Sequence, residues 1–269
     1  MRRVPPYFDH MLAARRPHDP ARDVHLGFWD RPPAGNDFAA AQFALTRRIA
    51  SLGPPAPATA ILDIGCGFGG LLALLNQSLH GCHLTGVNID PRQLRVCQEI
   101  PARPGNRLSL IAADACALPF AAASFDQVYC VEAMFHFPAR TRFLAEAARV
   151  LRPNGRLVLT DFAISPQTAA APWPDSRIAA ALHGEYGPWP EVWMPPETLL
   201  RHTEAAGFRL ETGQDWTAAT LPSYRFTAPD TGAPPTVQPS AGAALRWLHG
   251  SGRLRYLALS LRLDIGIKR

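Results

Sequence analysis

The feature that most constrains this chain is a glycine-rich turn set on the end of an apolar run. Ala58 to Ile64 is a short apolar stretch with Asp63 near its end, and Gly65-Cys66-Gly67-Phe68-Gly69-Gly70 follows at once. A run of this length and composition reads as a strand buried on both faces. Glycines at alternate positions let the backbone turn tightly and approach a bound group with no Cβ in the way. The residues after the turn predict a helix through Leu79. Strand, glycine turn and helix together are the opening unit of an α/β sheet.

The alternation continues along the chain. His83–Ile89, Leu108–Ala113, Phe125–Val131 and Arg156–Thr160 read as further strands. Pro91 opens a helix to about Glu99. Arg140–Leu151 is a helix with apolar residues at Phe143, Leu144, Ala147, Val150 and Leu151, and Pro153-Asn154-Gly155 is a turn. Five alternations predict a parallel sheet covered on both faces. Pro196–Ala206 then reads as a helix, Phe208–Asp215 as a sixth strand and Arg253–Leu263 as a seventh. The division expected is one domain: an N-terminal helical segment 1–57, a core 58–162, a cap insertion 163–206, and C-terminal strands 207–269. The cap is rich in proline and holds Trp173, Trp189 and Trp193, and 228–240 is a loop rich in Pro, Gly, Thr and Ser.

Composition narrows the class. Hydrophobic residues make up 47% and charged residues 18% of the 269, a globular balance that excludes global disorder. No uncharged apolar stretch is long enough to span a bilayer, so no membrane partner is expected. Pro5 and Pro6 follow Arg2 and Arg3 where a secretory signal would be apolar. The cysteines at 66, 82, 97, 116 and 130 form no C-x-x-C pair, so no metal site is expected. Their odd number fits reduced thiols and a cytoplasmic location. The net charge of +5 invites a nucleic-acid reading, but 26 of the 27 basic residues are arginines scattered along the chain. A phosphate-tracking protein concentrates such residues on one face, so no nucleic-acid partner is expected. The sequence does not give the oligomeric state.

The glycine turn fits two patterns, G-x-G-x-x-G and D-x-G-x-G-x-G, and the segments after it choose between them. Gly86-Val87-Asn88-Ile89-Asp90 ends the second strand. Ala113-Asp114-Ala115 precedes Leu118-Pro119-Phe120. Ser124-Phe125-Asp126-Gln127-Val128 opens the fourth strand, and Leu151-Arg152-Pro153-Asn154-Gly155-Arg156-Leu157 leads into the fifth. With the turn, this order and spacing resembles the class I S-adenosylmethionine-dependent methyltransferases over about residues 25–226. The resemblance implies an α/β fold with a seven-stranded, mostly parallel Rossmann-like sheet, helices on both faces, an N-terminal helical lid and the cap insertion. It implies S-adenosylmethionine as cofactor. Asp63, Gly65 and Gly67 would lie under its methionine moiety, Asn88 and Ile89 would hold the ribose, and Asp114 with Ala115 the adenine. Asn88 departs from the acidic residue most of the family carries. Asp90 either compensates or caps the next helix. Gln93, five positions after Asn88, fits the variant in methyltransferases that resemble the tocopherol and cyclopropane-forming groups.

Methyl transfer from a sulfonium is an in-line displacement, so the enzyme aligns the acceptor and frees its lone pair. A hydroxyl acceptor loses a proton, which calls for a base. His136 is the candidate, just beyond the fourth strand, at the strand edge where open α/β sheets hold ligands. Asp161 ends the fifth strand at the same edge and is expected to be catalytic, its carboxylate orienting His136 or taking the proton itself, against the plainer alternative of an ion pair with a nearby arginine; Glu132 is a third candidate. His136 and Asp161 resemble the pair of natural-product sugar O-methyltransferases. His25-Leu26-Gly27-Phe28-Trp29 resembles a segment before the core of small-molecule methyltransferases, and Tyr7 and Trp29 would bring aromatic faces to the sulfonium. Trp173, Tyr186, Trp189, Trp193 and Met194 are expected to form the acceptor pocket, with Asp215-Trp216-Thr217 and Pro222-Ser223-Tyr224 lining its cleft. The reading is methylation of a hydroxyl on a small-molecule acceptor, a sugar or polyketide-type natural product. The alternatives are carbon methylation of a prenylated ring or isoprenoid, or a non-enzymatic scaffold.

Overall fold

Ile61, Leu62 and Ile64 have no solvent exposure, and they make β1 (Ala60–Ile64) the centre of the sheet. Burying each such side chain is worth about 1.5–3 kcal/mol, which fixes the strand's depth and register. The computed structural model of the chain describes residues 4–16, 19–30, 37–165, 176–187, 194–228 and 240–264. Within them α1 (Tyr7–Ala14) and α2 (Phe38–Leu52) precede β1. α3 (Gly70–Ser78), β2 (His83–Asn88), α4 (Pro91–Cys97), β3 (Arg107–Ala112), β4 (Phe125–Val131), α5 (Arg140–Val150) and β5 (Leu151–Ile164) follow. A helix at Pro196–Ala205 leads to β6 (Phe208–Asp215), and β7 (Leu254–Leu263) closes the sheet. Each expected strand is present, β4 and β6 with the expected bounds and the others with one or both ends moved.

The seven strands lie in the order β3-β2-β1-β4-β5-β7-β6. β1 to β5 pair with one another in parallel, and β7 runs antiparallel between β5 and β6. The chain therefore runs outward from β1 in one direction and resumes at β4 on the other side. That reversal opens a crevice at the C-terminal ends of β1 and β4, where such sheets bind ligands. One cluster of buried side chains, with Val158, Phe162 and Tyr256, packs α2 and α3 against one face. A second, with Leu157, Leu159 and Ala163, packs α5 against the other.

Two expectations are corrected. Pro153-Asn154-Gly155 lies inside β5 as an irregularity: pairing with β4 passes from Phe125↔Leu151 to Gln127↔Arg156, and Asn154 takes a φ of +61°. The stretch before β7 holds a helix, Ala241–Gly250, that the sequence reading left out. Ser240 caps it by accepting from the Ala243 N–H, and Ala241, Ala244 and Leu248 bury its inner face. Residues 229–239 of the expected loop lie outside the described residues. So do Trp173, Trp189 and Trp193, while part of the expected cap is a helix, Ser176–Tyr186.

Candidate active site

A cavity of about 870 Å³ occupies the crevice where the strand order reverses. All eight residues assigned to the cofactor on sequence grounds line it: Asp63, Gly65 and Gly67 from the first turn, Asn88, Ile89 and Gln93 beyond β2, and Asp114 and Ala115 beyond β3. The turn depends on glycine in two ways. Gly65 and Gly67 sit at φ +75° and +54°, a region costly for other residues. A Cβ on Gly65 would also collide with the Ala133 side chain, and one on Gly67 would lie 2.8 Å from Val24 Cγ2.

Beside the turn, Asn88 and Gln93 form a buried amide pair. Asn88 Nδ2 donates to Gln93 Oε1 at 2.8 Å, and Asn88 Oδ1 accepts from the Asp90 N–H at 3.2 Å. Gln93 is 1% exposed and its Nε2 has no hydrogen-bond partner among the described residues. An orphaned buried donor on a cavity wall costs about 1–3 kcal/mol unless a ligand satisfies it. Asp90 takes the second of its two expected roles. It caps α4 by accepting from the Arg92 N–H and binds the Arg92 guanidinium at 2.7 Å. Asp114 Oδ1 accepts from the Cys116 N–H at 2.9 Å, which shapes the turn after β3.

The other part of the cavity carries groups able to move a proton. His136 ends a 3₁₀ turn, Met134–His136, just past β4. Its Nδ1 lies 3.1 Å from the Tyr186 carbonyl oxygen and its Nε2 lies 2.9 Å from the Tyr7 hydroxyl. A carbonyl only accepts, so Nδ1 carries the proton. Burial holds the imidazole pKa down at about 3, so the ring is neutral and Nε2 is a bare lone pair that accepts from Tyr7. Long-range ¹H–¹⁵N correlation spectra are therefore expected to show a neutral Nδ1–H tautomer for His136 that persists from pH 7 to pH 5. Titration near the ordinary histidine value of about 6.5 would refute that assignment.

Glu132 stands at the end of β4 with a φ of +45°, a strained conformation for a residue with a side chain. Its Oε1 accepts from the Leu26 N–H at 2.9 Å and the Tyr256 hydroxyl at 2.7 Å. Burial pushes its pKa up, against the pull of His25. Burial likewise lifts Asp63 to about 7, opposed by His25. His25 is the counterweight. Its Nδ1 donates to the Leu26 carbonyl at 2.7 Å, and its Nε2 meets Thr46 Oγ1 at 2.9 Å while that hydroxyl donates to Asp23 at 2.6 Å. Both ring nitrogens are thus donors, the pattern of an imidazolium. Burial alone would lower its pKa, but Asp23 and Glu132 raise it above the ordinary value.

The structure does not bring Asp161 to His136. The Asp161 carboxylate is wholly buried and binds the Arg140 guanidinium at 2.6 Å. It does not line the cavity, whereas the next residue, Phe162, does. Neighbouring residues of a strand point to opposite faces, so Asp161 faces α5. Its pKa is raised to about 6 by burial, with Arg140 opposing. Trp29 also lies elsewhere: its ring stacks on Phe226 and its Nε1 donates to Ser223 Oγ at 3.0 Å. Met194 packs on the α5 side and Trp216 in the core opposite, while Tyr186 and Tyr224 do line the cavity. Sequence reasoning missed Arg140 as the partner of Asp161 and the pairing of Tyr7 with His136. Arg140 had left a signal, since it falls on the apolar stripe of α5 with Phe143, Leu144 and Ala147.

Residues 62–159 match the family model described as a methyltransferase domain. The 27-O-demethylrifamycin SV methyltransferase of Amycolatopsis mediterranei is 32% identical over 208 residues, 77% of this chain and 74% of that protein. The 2-methyl-6-phytyl-1,4-hydroquinone methyltransferase of Synechocystis is 32% identical over 218 residues, 76% of this chain and 65% of that protein. Geranyl diphosphate C-methyltransferase from Streptomyces coelicolor, solved with Mg²⁺, geranyl diphosphate and S-adenosylhomocysteine, superposes with a TM-score of 0.72 at 17% identity. That match covers 96% of this chain and 98% of the other, and it speaks to fold.

Proposed function

Because the chain belongs to the class I S-adenosylmethionine-dependent methyltransferases, we propose that it methylates a hydroxyl of a small-molecule natural product, with His136 as proton acceptor. The observation that carries this reading is the bare Nε2 of His136, turned toward Tyr7 on the wall of the cavity that also holds the glycine turn. The residues present fit the cofactor. The turn offers a cradle free of side chains, and Gln93 offers a buried donor in need of an acceptor. Asn88 orients Gln93, and Asp114 and Ala115 would flank the adenine. When bound, S-adenosylmethionine supplies an electrophilic methyl group and leaves as a neutral thioether.

The protein's part is alignment and removal of a proton. Tyr7 donates to His136, and its oxygen is able to accept from an acceptor hydroxyl in turn. A proton then passes from acceptor to Tyr7 and from Tyr7 to His136 Nε2. Burial raises the Tyr7 pKa well above its ordinary value, so Tyr7 acts as a neutral relay and not as a phenolate. A base of low pKa suffices, because a hydroxyl oxygen becomes strongly acidic as it gains a methyl group. Tyr7→Phe is expected to lower kcat by about 10–100-fold, at or below the low end of the about 10²–10⁴-fold typical of one proton-transfer group because a water is able to take the place of the relay hydroxyl, while S-adenosylhomocysteine affinity stays within about twofold. An unchanged kcat would show that Tyr7 only fills space beside His136.

A rifamycin-type relative favours oxygen as the acceptor atom and a polyketide-type acceptor. Carbon methylation remains the second reading, and Glu132 favours it. A buried carboxylate with raised pKa on the cavity wall is suited to taking a proton from carbon. Incubation with ¹³C-methyl-labelled cofactor and a panel of hydroxylated polyketides and prenylated phenols separates the two. A product whose labelled carbon resonates as a methoxyl supports hydroxyl methylation, and a C-methyl resonance replaces it with the second reading.

A further inference from the structure

The charges on the cavity wall are unevenly placed. Arg15 and Arg22 line it at the glycine turn, and both are already engaged. Arg15 binds Glu99 at 2.6 Å and lies over the Phe68 ring, and Arg22 donates to the Val96 carbonyl at 2.9 Å. The part of the cavity around His136 has a different character. Tyr7, Phe162, Tyr186, Tyr224 and Leu245 make it aromatic and apolar, and its carboxylates are Glu132 and Glu185. Glu185 Oε2 accepts from the Ala241 N–H at 3.3 Å, which ties it to the Ala241–Gly250 helix. His136 is neutral there, for the reasons given above. The buried cation nearest to Glu132 in this network, His25, is enclosed by Asp23, Glu132 and Asp63. Among the described residues of 176–187 the basic side chains are Arg177 and His183, and both are exposed.

An anion entering such a place would lose its water and find carboxylates instead of cations. Desolvating an unpaired charge is costly, and like charges brought together cost several kcal/mol more. We propose that the acceptor end of this cavity takes uncharged, largely apolar hydroxylated molecules and rejects anionic ones, with Glu132 and Glu185 as the specificity-determining residues. This rests on the methyl-transfer reading only for which end receives the acceptor. Carboxylate-bearing and phosphate-bearing acceptors are excluded, and geranyl diphosphate, the ligand of the structural neighbour, is one of them.

Two dyes of nearly the same shape test the proposal: neutral N-phenyl-1-naphthylamine and the anionic 8-anilino-1-naphthalenesulfonate. Their fluorescence is titrated with the full-length protein saturated with S-adenosylhomocysteine, so that the cofactor end is filled. The neutral dye is expected to bind at least about tenfold more tightly. Glu185→Gln and Glu132→Gln are expected to raise sulfonate affinity several-fold and leave the neutral dye within about twofold, which a purely structural role would not do. Glu185 is only partly buried, so its variant is the safer to fold. Equal or tighter binding of the sulfonate, a ratio unmoved in both variants, or binding of neither dye overturns the proposal. Calorimetry with S-adenosylhomocysteine tests the methyl-transfer reading separately, and its failure is a different result.

Discussion

His136→Ala lowers kcat for a hydroxyl acceptor by about 10²–10⁴-fold, the span measured for loss of a general base, with S-adenosylhomocysteine affinity retained. The reason is geometric. His136 Nε2 is the acceptor nitrogen of a ring whose Nδ1–H is fixed on the Tyr186 carbonyl, and no other residue presents a lone pair to Tyr7 in the described contacts. His136→Gln tests orientation. Its amide donates to the Tyr186 carbonyl or accepts from Tyr7, but is a far weaker base, so it is expected to behave like alanine in kcat while keeping the fold. A fall of less than about threefold would move the proton-accepting role to Glu132. Steady-state rates with one accepted substrate, beside calorimetry on the same preparations, separate chemistry from binding.

Asp161→Asn destabilises the protein by about 3–5 kcal/mol, because it removes the carboxylate that faces the buried Arg140 guanidinium at 2.6 Å. Arg140 is 1% exposed and Asp161 is fully buried, and besides Asp161 the guanidinium meets the Phe162 carbonyl at 3.2 Å. The reverse change is milder. In Arg140→Met the carboxyl escapes by taking up a proton, which arginine is unable to mimic by losing one. Burial already lifts the Asp161 pKa to about 6 with Arg140 in place, and removing the cation lifts it further. A folded-state pKa raised above the unfolded value means stability that is present at low pH and lost as pH rises. The Arg140→Met penalty therefore shrinks as pH falls. Replacing both residues with apolar ones of similar volume restores most of the stability. Urea midpoints of the two single variants and the double variant measure all of this. Equal penalties at every pH, or an Asp161→Asn variant as stable as the parent but inactive, would return Asp161 to a role in the reaction.

Asp161 also shows where the sequence stopped being legible. Its position at the end of β5 is readable from the run Leu157–Thr160, but both faces of that strand are buried, so the apolar pattern does not say which face a given residue takes. Parity supplies the answer once the helices are placed: Leu157, Leu159 and Ala163 face α5, and Val158 and Phe162 face the other way. Asp161 shares the odd set. The glycine turn and the strand ends around it were legible because each is a local feature. Gly65 and Gly67 mark a backbone conformation, and Asp90-Pro91 marks a helix start. Long-range pairings left no such trace. Tyr7 and His136 meet across 129 positions, and nothing near either residue announces the other. The Ala241–Gly250 helix was hidden for another reason. The first turn of its buried face is alanine and glycine, Ala241 to Ala244, which carry little apolar contrast against the proline-rich stretch before it, and only Leu245 and Leu248 follow as large apolar residues on that face.

The central claim is that one cavity holds the cofactor against the glycine turn and the acceptor against His136. Calorimetric titration of S-adenosylhomocysteine into the parent protein, Gln93→Leu and His136→Ala tests it most directly. The parent is expected to bind. Gln93→Leu, which removes the buried donor, is expected to weaken binding by about 5–100-fold, the equivalent of a lost hydrogen bond in a buried site, and His136→Ala is expected to leave it unchanged within about twofold. No binding to the folded parent, or a loss on His136→Ala with none on Gln93→Leu, would contradict the claim.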